Sequence, residues 1–175
     1  MRRLIKDRRI VEDTWLLIKA APDGALPTIP GIGNVIVSLP IWQESKEQLL
    51  ARDGGLGIWL DSREEPAAIA DNLAHFAVVA VNFPVFTDGR GYSTARLLRE
   101  RYGYRGELRA IGDVLRDQIF YMSRCGFNAF AVRADKSIED ALSAFDDFSD
   151  AYQTAVDQPL PLFRRRLQQR PWRHP

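Results

Sequence analysis

Ala77–Phe86 reads AVVAVNFPVF. Its apolar residues stand side by side rather than at alternate positions, so neither face of the segment is built for water. A strand of that kind belongs in a parallel sheet covered on both sides. Reading outward from it, the pattern repeats. Downstream, a helical stretch from about Ser93 to Tyr102 stops at Gly103, and Glu107–Ile111 follows as a strand. Asp113 is placed to cap a helix running to Arg124, with Leu115, Ile119 and Met122 on one face. Phe127–Arg133 is the last strand. Ser137 and Asp140 then make a capping box for a long amphipathic helix with the stripe Ile138, Leu142, Phe145, Phe148 and Tyr152. Upstream, Gly57–Leu60 is a strand followed by the S-x-x-E box of Ser62 and Glu65, with Pro66 in the first helical turn. Val35–Leu39 precedes a helix from about Glu44 that ends at Gly54.

Strand–helix alternation of this length means βαβ units with right-handed crossovers. The expected fold is α/β, with repeated βα units and a mainly parallel sheet. Two architectures fit, an incomplete (β/α) barrel or an open doubly wound sheet. The short regular units and the lack of a nucleotide-type glycine loop favour the barrel. The first 33 residues differ: Arg9–Lys19 alternates around Trp15 and suggests a small β-hairpin, and Pro22 to Gly33 is a connector. The expected organisation is a single domain: hairpin and connector over 1–33, βα units over 34–156, and a basic tail over 157–175. The tail carries Arg164, Arg165, Arg166, Arg170 and Arg173 among prolines and is expected to be loosely ordered. Unpaired terminal strands of an incomplete barrel need cover, from the hairpin, the tail or a second copy, so a homo-oligomer stays open.

Composition narrows the chemistry. With 175 residues, 46% hydrophobic and 27% charged, the chain is an ordinary globular one. Its net charge of +1 does not make the molecule as a whole a basic nucleic-acid binder, although the charge is unevenly distributed. No apolar run approaches a membrane span, and MRRLIKDRRIVED lacks the apolar core of a secretory signal. Cys125 is the only cysteine, so one chain offers no disulfide, CxxC pair, cysteine zinc site or iron–sulfur cluster. With only His75 and His174 as imidazoles, a histidine metal site has no basis either. Nor does the sequence carry a haem signature. Most of the 24 basic residues are Arg. Codon preference explains that bias, and so does a use for guanidinium forks on oxoanions.

Ligands of parallel α/β sheets gather where strands run into helices. Those positions hold Asp61 and Arg63, then Asp88 to Ser93, then Gly112, Asp113, Arg116 and Asp117, and lastly Arg133 and Asp135. Asp88, Gly89, Arg90, Gly91, Tyr92 and Ser93 (DGRGYS) form the first candidate, with Arg96 one turn on. Two glycines able to take positive φ, a helix start and two arginines would hold a small anion; as an ordinary turn, the same residues need only cap the helix. Asp113, Arg116, Asp117 and Arg133 form the second candidate, a carboxylate pair with arginines that would orient a hydroxyl or a divalent ion. Both loops are expected at one edge of one sheet. No nucleophile–base set is legible; Cys125 reads as packing and His75 as structural.

DGRGYS after an apolar strand, GDVLRDQ (Gly112 to Gln118) one unit later, and Arg124-Cys125-Gly126-Phe127 after that together resemble a bacterial family known as a domain of unknown function. The resemblance spans roughly Leu56 to Phe148, with a looser match at Ile5 to Trp15. Its members are often encoded beside the haemoprotein subunit of sulfite reductase and are described as oxidoreductases of sulfite reduction. The resemblance implies a cytoplasmic role in sulfur assimilation and cysteine biosynthesis, with that haemoprotein as partner. It supplies no catalytic residues to carry over. Two readings meet it, an accessory protein that binds the reductase or carries a small anionic metabolite, and an oxidoreductase whose flavin would sit at the strand ends without a motif; the alternative is a non-redox barrel-type enzyme acting on an anionic small molecule through Asp88, Asp113 and the arginines.

Overall fold

The computed structural model describes residues 2–20 and 26–169. It contains one eight-stranded sheet in the order β2-β1-β8-β7-β6-β5-β4-β3. The strands are β1 (Arg3–Lys6), β2 (Arg9–Glu12), β3 (Leu16–Ile18), β4 (Val35–Ser38), β5 (Leu56–Leu60), β6 (Val78–Phe83), β7 (Glu107–Gly112) and β8 (Ala129–Phe130). The helices are α1 (Leu39–Leu50), α2 (Arg90–Arg96), α3 (Arg116–Arg124), α4 (Ile138–Ser143) and α5 (Leu162–Gln169). A 3-10 helix fills Pro66–His75, and α2 runs on into a π turn, Leu97–Arg101.

From β3 to β8 the strands are parallel and follow chain order across the sheet without reversing. A doubly wound sheet reverses at a switch point, so the barrel-like architecture is the one realised. Winding in one sense puts the helices on one face. Val79, Val81 and Phe83 of β6 pack with Leu98, Ile119 and Met122 from the helices, whereas Val78 and Ala80 join Ile36, Trp15 and Trp59 on the other face.

The sheet is curled, as chain length requires. β2 and β3 lie at opposite edges, yet only Asp13–Trp15 separates them. Four residue steps reach at most about 14 Å, whereas eight flat strands would hold their edges about 34 Å apart. The result is a curled half-barrel. Asp13 crosses its inner face to meet Arg109 of β7 at 2.9 Å, and Arg109 also holds Glu107 at 2.7 Å. Lys6 of β1 meets the same Glu107 at 2.8 Å. Arg109 is only 3% exposed.

The hairpin falls earlier than expected. β1 and β2 pair across Asp7 and Arg8, both at positive φ (47° and 60°), the backbone of a tight two-residue hairpin turn. Asp-Arg is not the usual chemistry for such a turn, which hid it. Leu16–Ile18, expected as a hairpin arm, instead pairs in parallel with β4. β1 adds antiparallel to β8, Ile5 opposite Phe130, and so covers the edge that most needed it. The free outer edge of β2 carries Arg9 and Glu12, charges that discourage further pairing.

Other boundaries move for local reasons. α1 starts at Leu39, not Glu44, because Pro40 suits a first helical turn. Asp113 does not cap α3; the helix begins at Arg116, and the Gln118 side chain accepts the Leu115 N–H at 3.0 Å. Ser62 and Glu65 make no capping box; the Glu64 carboxylate takes the Asp61 N–H at 2.7 Å. The long helix after Ser137 stops early. Ser137 does cap α4 through the Asp140 N–H at 3.1 Å, but a single 3-10 turn at Ala144–Asp146 ends it, leaving Phe148 and Tyr152 exposed rather than in a buried stripe. Part of the tail is helical, as α5. Arg170, Arg173 and His174, and the connector residues 21–25, lie outside the described residues.

Ile5 is fully buried where the hairpin meets β8. Ile5→Ala is expected to cost about 2–5 kcal/mol in urea unfolding, the range for deleting a core isoleucine. A cost below about 1 kcal/mol would mean that the hairpin does not seal that edge.

Candidate functional site

β6 and β7 are parallel neighbours, with Phe83 opposite Gly112. The two candidate loops therefore leave the same edge of the sheet, and the Asp113 N–H donates to the Phe83 carbonyl at 2.7 Å. Gly112 makes that join possible. Its φ is +93°, and a Cβ there would meet the Phe83 carbonyl oxygen at 2.3 Å.

Within DGRGYS the residues separate by direction. Neither Gly89 nor Gly91 takes a positive φ, contrary to expectation. Gly91 is small for a packing reason: a Cβ would stand 2.6 Å from the Phe83 ring, so the glycine lets α2 press onto β6. Tyr92 follows it inward, 5.3 Å from Phe83 and 5.2 Å from Tyr121 between ring centroids. Arg90 folds back on Asp88 as a two-pronged fork, at 2.9 and 2.6 Å, and reaches the Ser62 hydroxyl at 3.2 Å. That fork holds the Asp88 carboxyl far below the usual carboxylate range. Asp88 also accepts the Arg90 N–H at 3.2 Å, so a carboxylate of the chain itself sits at the start of α2. Arg96 turns outward to pair with Glu100 at 2.9 Å.

The second candidate divides in two. Arg133 joins Asp113 at 2.7 Å and Asp135 at 2.6 Å. Arg116 instead reaches across to Asp147 at 2.7 Å and Asp140 at 3.4 Å, tying α3 to the α4 region. Asp117 is exposed on α3. Among the described residues no three His, Cys, Asp or Glu side chains group so as to hold a metal ion.

Between the loop after β5 and α2 lies a cleft of about 590 Å³. Ser62, Arg63 and Glu64 form one wall, Arg90 and Ser93 the other, and Arg101 its far end. Arg63 and Arg101 have no acidic partner among the described residues. Burial in the cleft pushes the Glu64 carboxyl above its ordinary value, against the opposing hydrogen bond from the Asp61 backbone. Arg63 stands among the strand-end residues read from the sequence; Arg101 does not. The signal for Arg101 was helical spacing, since Ser93, Leu97 and Arg101 recur every fourth residue and all line the cleft. The π turn that carries Arg101 is a form that recurs at functional sites.

Cys125 is buried, and burial pushes its thiol above its ordinary value. His75 precedes β6 and so lies at the opposite edge of the sheet. Among the described residues no helix is long and apolar enough to cross a membrane.

A family model described as "Bacterial protein of unknown function (DUF934)" matches residues 57–163, more than half of the chain. The chain belongs to that family. The DUF934 match takes in β5 to β8, both candidate loops and the cleft, and it reaches the start of α5. No curated protein and no solved structure matches the chain.

The two glycines of the loop are expected to respond differently. Gly91→Ala should destabilise by about 1–3 kcal/mol through overpacking against Phe83. Gly89→Ala, with nothing nearer than 3.7 Å, should stay within about 0.5 kcal/mol. Equal effects in chemical unfolding would remove the packing explanation for Gly91.

Proposed function

We propose that this chain is an accessory protein of assimilatory sulfite reduction that binds a small oxoanion at the carboxyl ends of its strands and works beside the haemoprotein subunit of sulfite reductase in the cytoplasm. The observation that carries the anion reading is the cleft between the β5 loop and α2, lined by Arg63 and Arg101, which have no acidic partner among the described residues. Guanidinium forks match tetrahedral and pyramidal oxoanions, with Ser62, Ser93 and Thr94 hydroxyls on the same lining. In this reading Arg90 is the wall of the site rather than its main donor, because Asp88 already satisfies most of its fork. Sulfur metabolism enters through the resemblance to proteins encoded beside sulfite reductase. An accessory role is favoured over electron transfer because Cys125 is buried and alone, and because the sequence has no cofactor fingerprint.

Glu64 favours a second reading, a non-redox enzyme acting on an anionic small molecule. Its raised carboxyl stands in the same cleft and would hold a proton for transfer at a higher pH than an ordinary glutamate.

Thermal melts with sulfite or sulfate against chloride at matched ionic strength test the anion site. A ligand bound only by the native state, at about 100 times its Kd, stabilises by about 2.7 kcal/mol. Arg63→Ala and Arg101→Ala should each remove most of the oxoanion-specific shift while leaving the unliganded melt nearly unchanged. Equal shifts with chloride, or a full shift in both variants, would end the assignment. A visible spectrum of the same preparation separates the redox reading: bound flavin absorbs in the blue, and an accessory protein is colourless.

A further inference from the structure

The cleft between the β5 loop and α2 is larger than any inorganic oxoanion. Its volume of about 590 Å³ lies among those of ordinary small-molecule sites, which run from roughly 300 to 1,000 Å³. An ion of four or five heavy atoms, at about 30 Å³ for each (the share of one water in the liquid), leaves most of that space empty. The cleft is also long. Ser93, Leu97 and Arg101 follow one another along its α2 side, and at about 1.5 Å per residue the first and last stand about 12 Å apart.

The lining beyond the arginines is apolar. Pro66 and Ala67 enter it from the 3-10 helix, and Leu97 and Tyr102 from the other side. Leu97 is 38% exposed, and it also lines an adjoining hollow of about 410 Å³ that shares Ser93 and Arg101 with the cleft. Apolar surface therefore continues past the place where an ion would sit. Arg101 joins the two kinds of surface. Its guanidinium lies 5.7 Å from the centroid of the Tyr102 ring, a cation–π contact that holds it at the cleft without neutralising it. Glu64 stands there too, but its Oε2 already accepts the Asp61 N–H at 2.7 Å, and burial favours its neutral form.

We propose that the oxoanion held in this cleft is the head of an organic molecule, a sulfonate or a sulfate or phosphate monoester with an apolar body. The head accepts from the guanidiniums of Arg63 and Arg101, and the body covers Leu97, Pro66 and Ala67. This inference rests on the oxoanion reading of the cleft and adds the part of the ligand that an inorganic ion lacks.

Calorimetric titration of the full chain at constant ionic strength, with sulfate, benzenesulfonate, phenyl phosphate and the uncharged benzenesulfonamide, tests the assignment. At least one of the two organic anions should bind about tenfold or more tighter than sulfate, the margin that burying a phenyl ring supports. Whichever binds tighter identifies the head group. Benzenesulfonamide keeps the ring without the charge and should bind at least about tenfold more weakly than that anion. Leu97→Gln, at a side chain already partly exposed, should weaken the organic anion several-fold more than it weakens sulfate. Ala67→Gln, at an exposed position, should shift the preference the same way even if the Leu97 variant does not fold. Sulfate bound as tightly as either organic anion would overturn the proposal and leave the oxoanion reading standing. Benzenesulfonamide bound as tightly as the anions, or an unchanged preference in the Ala67→Gln chain, would overturn it as well. If none of the four probes binds, the oxoanion reading itself fails and this inference falls with it.

Discussion

The half-barrel depends on a charge that would otherwise have no reason to be buried. Arg109 points into the curled sheet, where a lone guanidinium would be prohibitively costly, and it is tolerable there only because Asp13 and Glu107 both reach it. Asp13 belongs to the three-residue bridge between the hairpin and β3, so satisfying Arg109 fixes where that bridge crosses the sheet. Asp13 is itself set by local bonds: its N–H donates to the Arg2 carbonyl at 2.8 Å, and its carboxylate takes the Trp15 N–H at 3.2 Å. Lys6 completes the group from β1. One buried network thus joins the hairpin, β7 and the start of the parallel run, and it holds together a sheet whose edges do not pair with each other.

That closure gives the two ends of the sheet different work. At the amino ends of the strands, arginines are spent on backbone. Arg99 donates to the carbonyls of Gly126, Tyr104 and Gly106 at 2.9, 2.8 and 2.9 Å, and Arg52 to those of Pro30 and Gly55, both at 3.1 Å. At the carboxyl ends arginines are matched with aspartates, Arg90 with Asp88 and Arg133 with both Asp113 and Asp135. Arg63 and Arg101 belong to neither class. The Arg-rich composition is therefore largely structural, and the candidate cleft, which runs from Arg63 at the strand ends along α2 to Arg101, is defined by the guanidiniums left over.

The sequence made the parallel run legible because its signal is physical and local: β6 is too apolar to face water, and the helices along the run carry periodic stripes. The short regular units favoured the barrel-like order, which is the one realised; the contact of Asp13 with Arg109 across the curl was not legible, since 96 residues of chain separate them. The hairpin was sensed but misplaced, because its turn uses Asp7 and Arg8 rather than a glycine. At the candidate site the sequence found the sheet edge that the two loops share. It could not tell which arginine was committed: Arg90 and Asp88 are two residues apart and read as separate candidates, yet they satisfy each other. Phe148 and Tyr152 extended a helical stripe on paper, but the chain turns at Ala144–Asp146 and leaves both in solvent.

The closed half-barrel rests most heavily on the bond between Arg109 and Asp13, and a double-mutant cycle measures it directly. Removing one partner of a buried ion pair typically costs about 3–5 kcal/mol, because the other charge is left uncompensated. Arg109→Met and Asp13→Asn should therefore each destabilise the chain in urea unfolding, with Arg109→Met the more severe because it leaves Asp13 without its cation and takes one of two cations from Glu107. The double variant should lose clearly less than the sum of the two, with a coupling of about 1–3 kcal/mol, as expected for residues in one network. Strictly additive losses, or an Arg109→Met chain as stable as the parent, would contradict the claim that this buried charge holds the half-barrel closed.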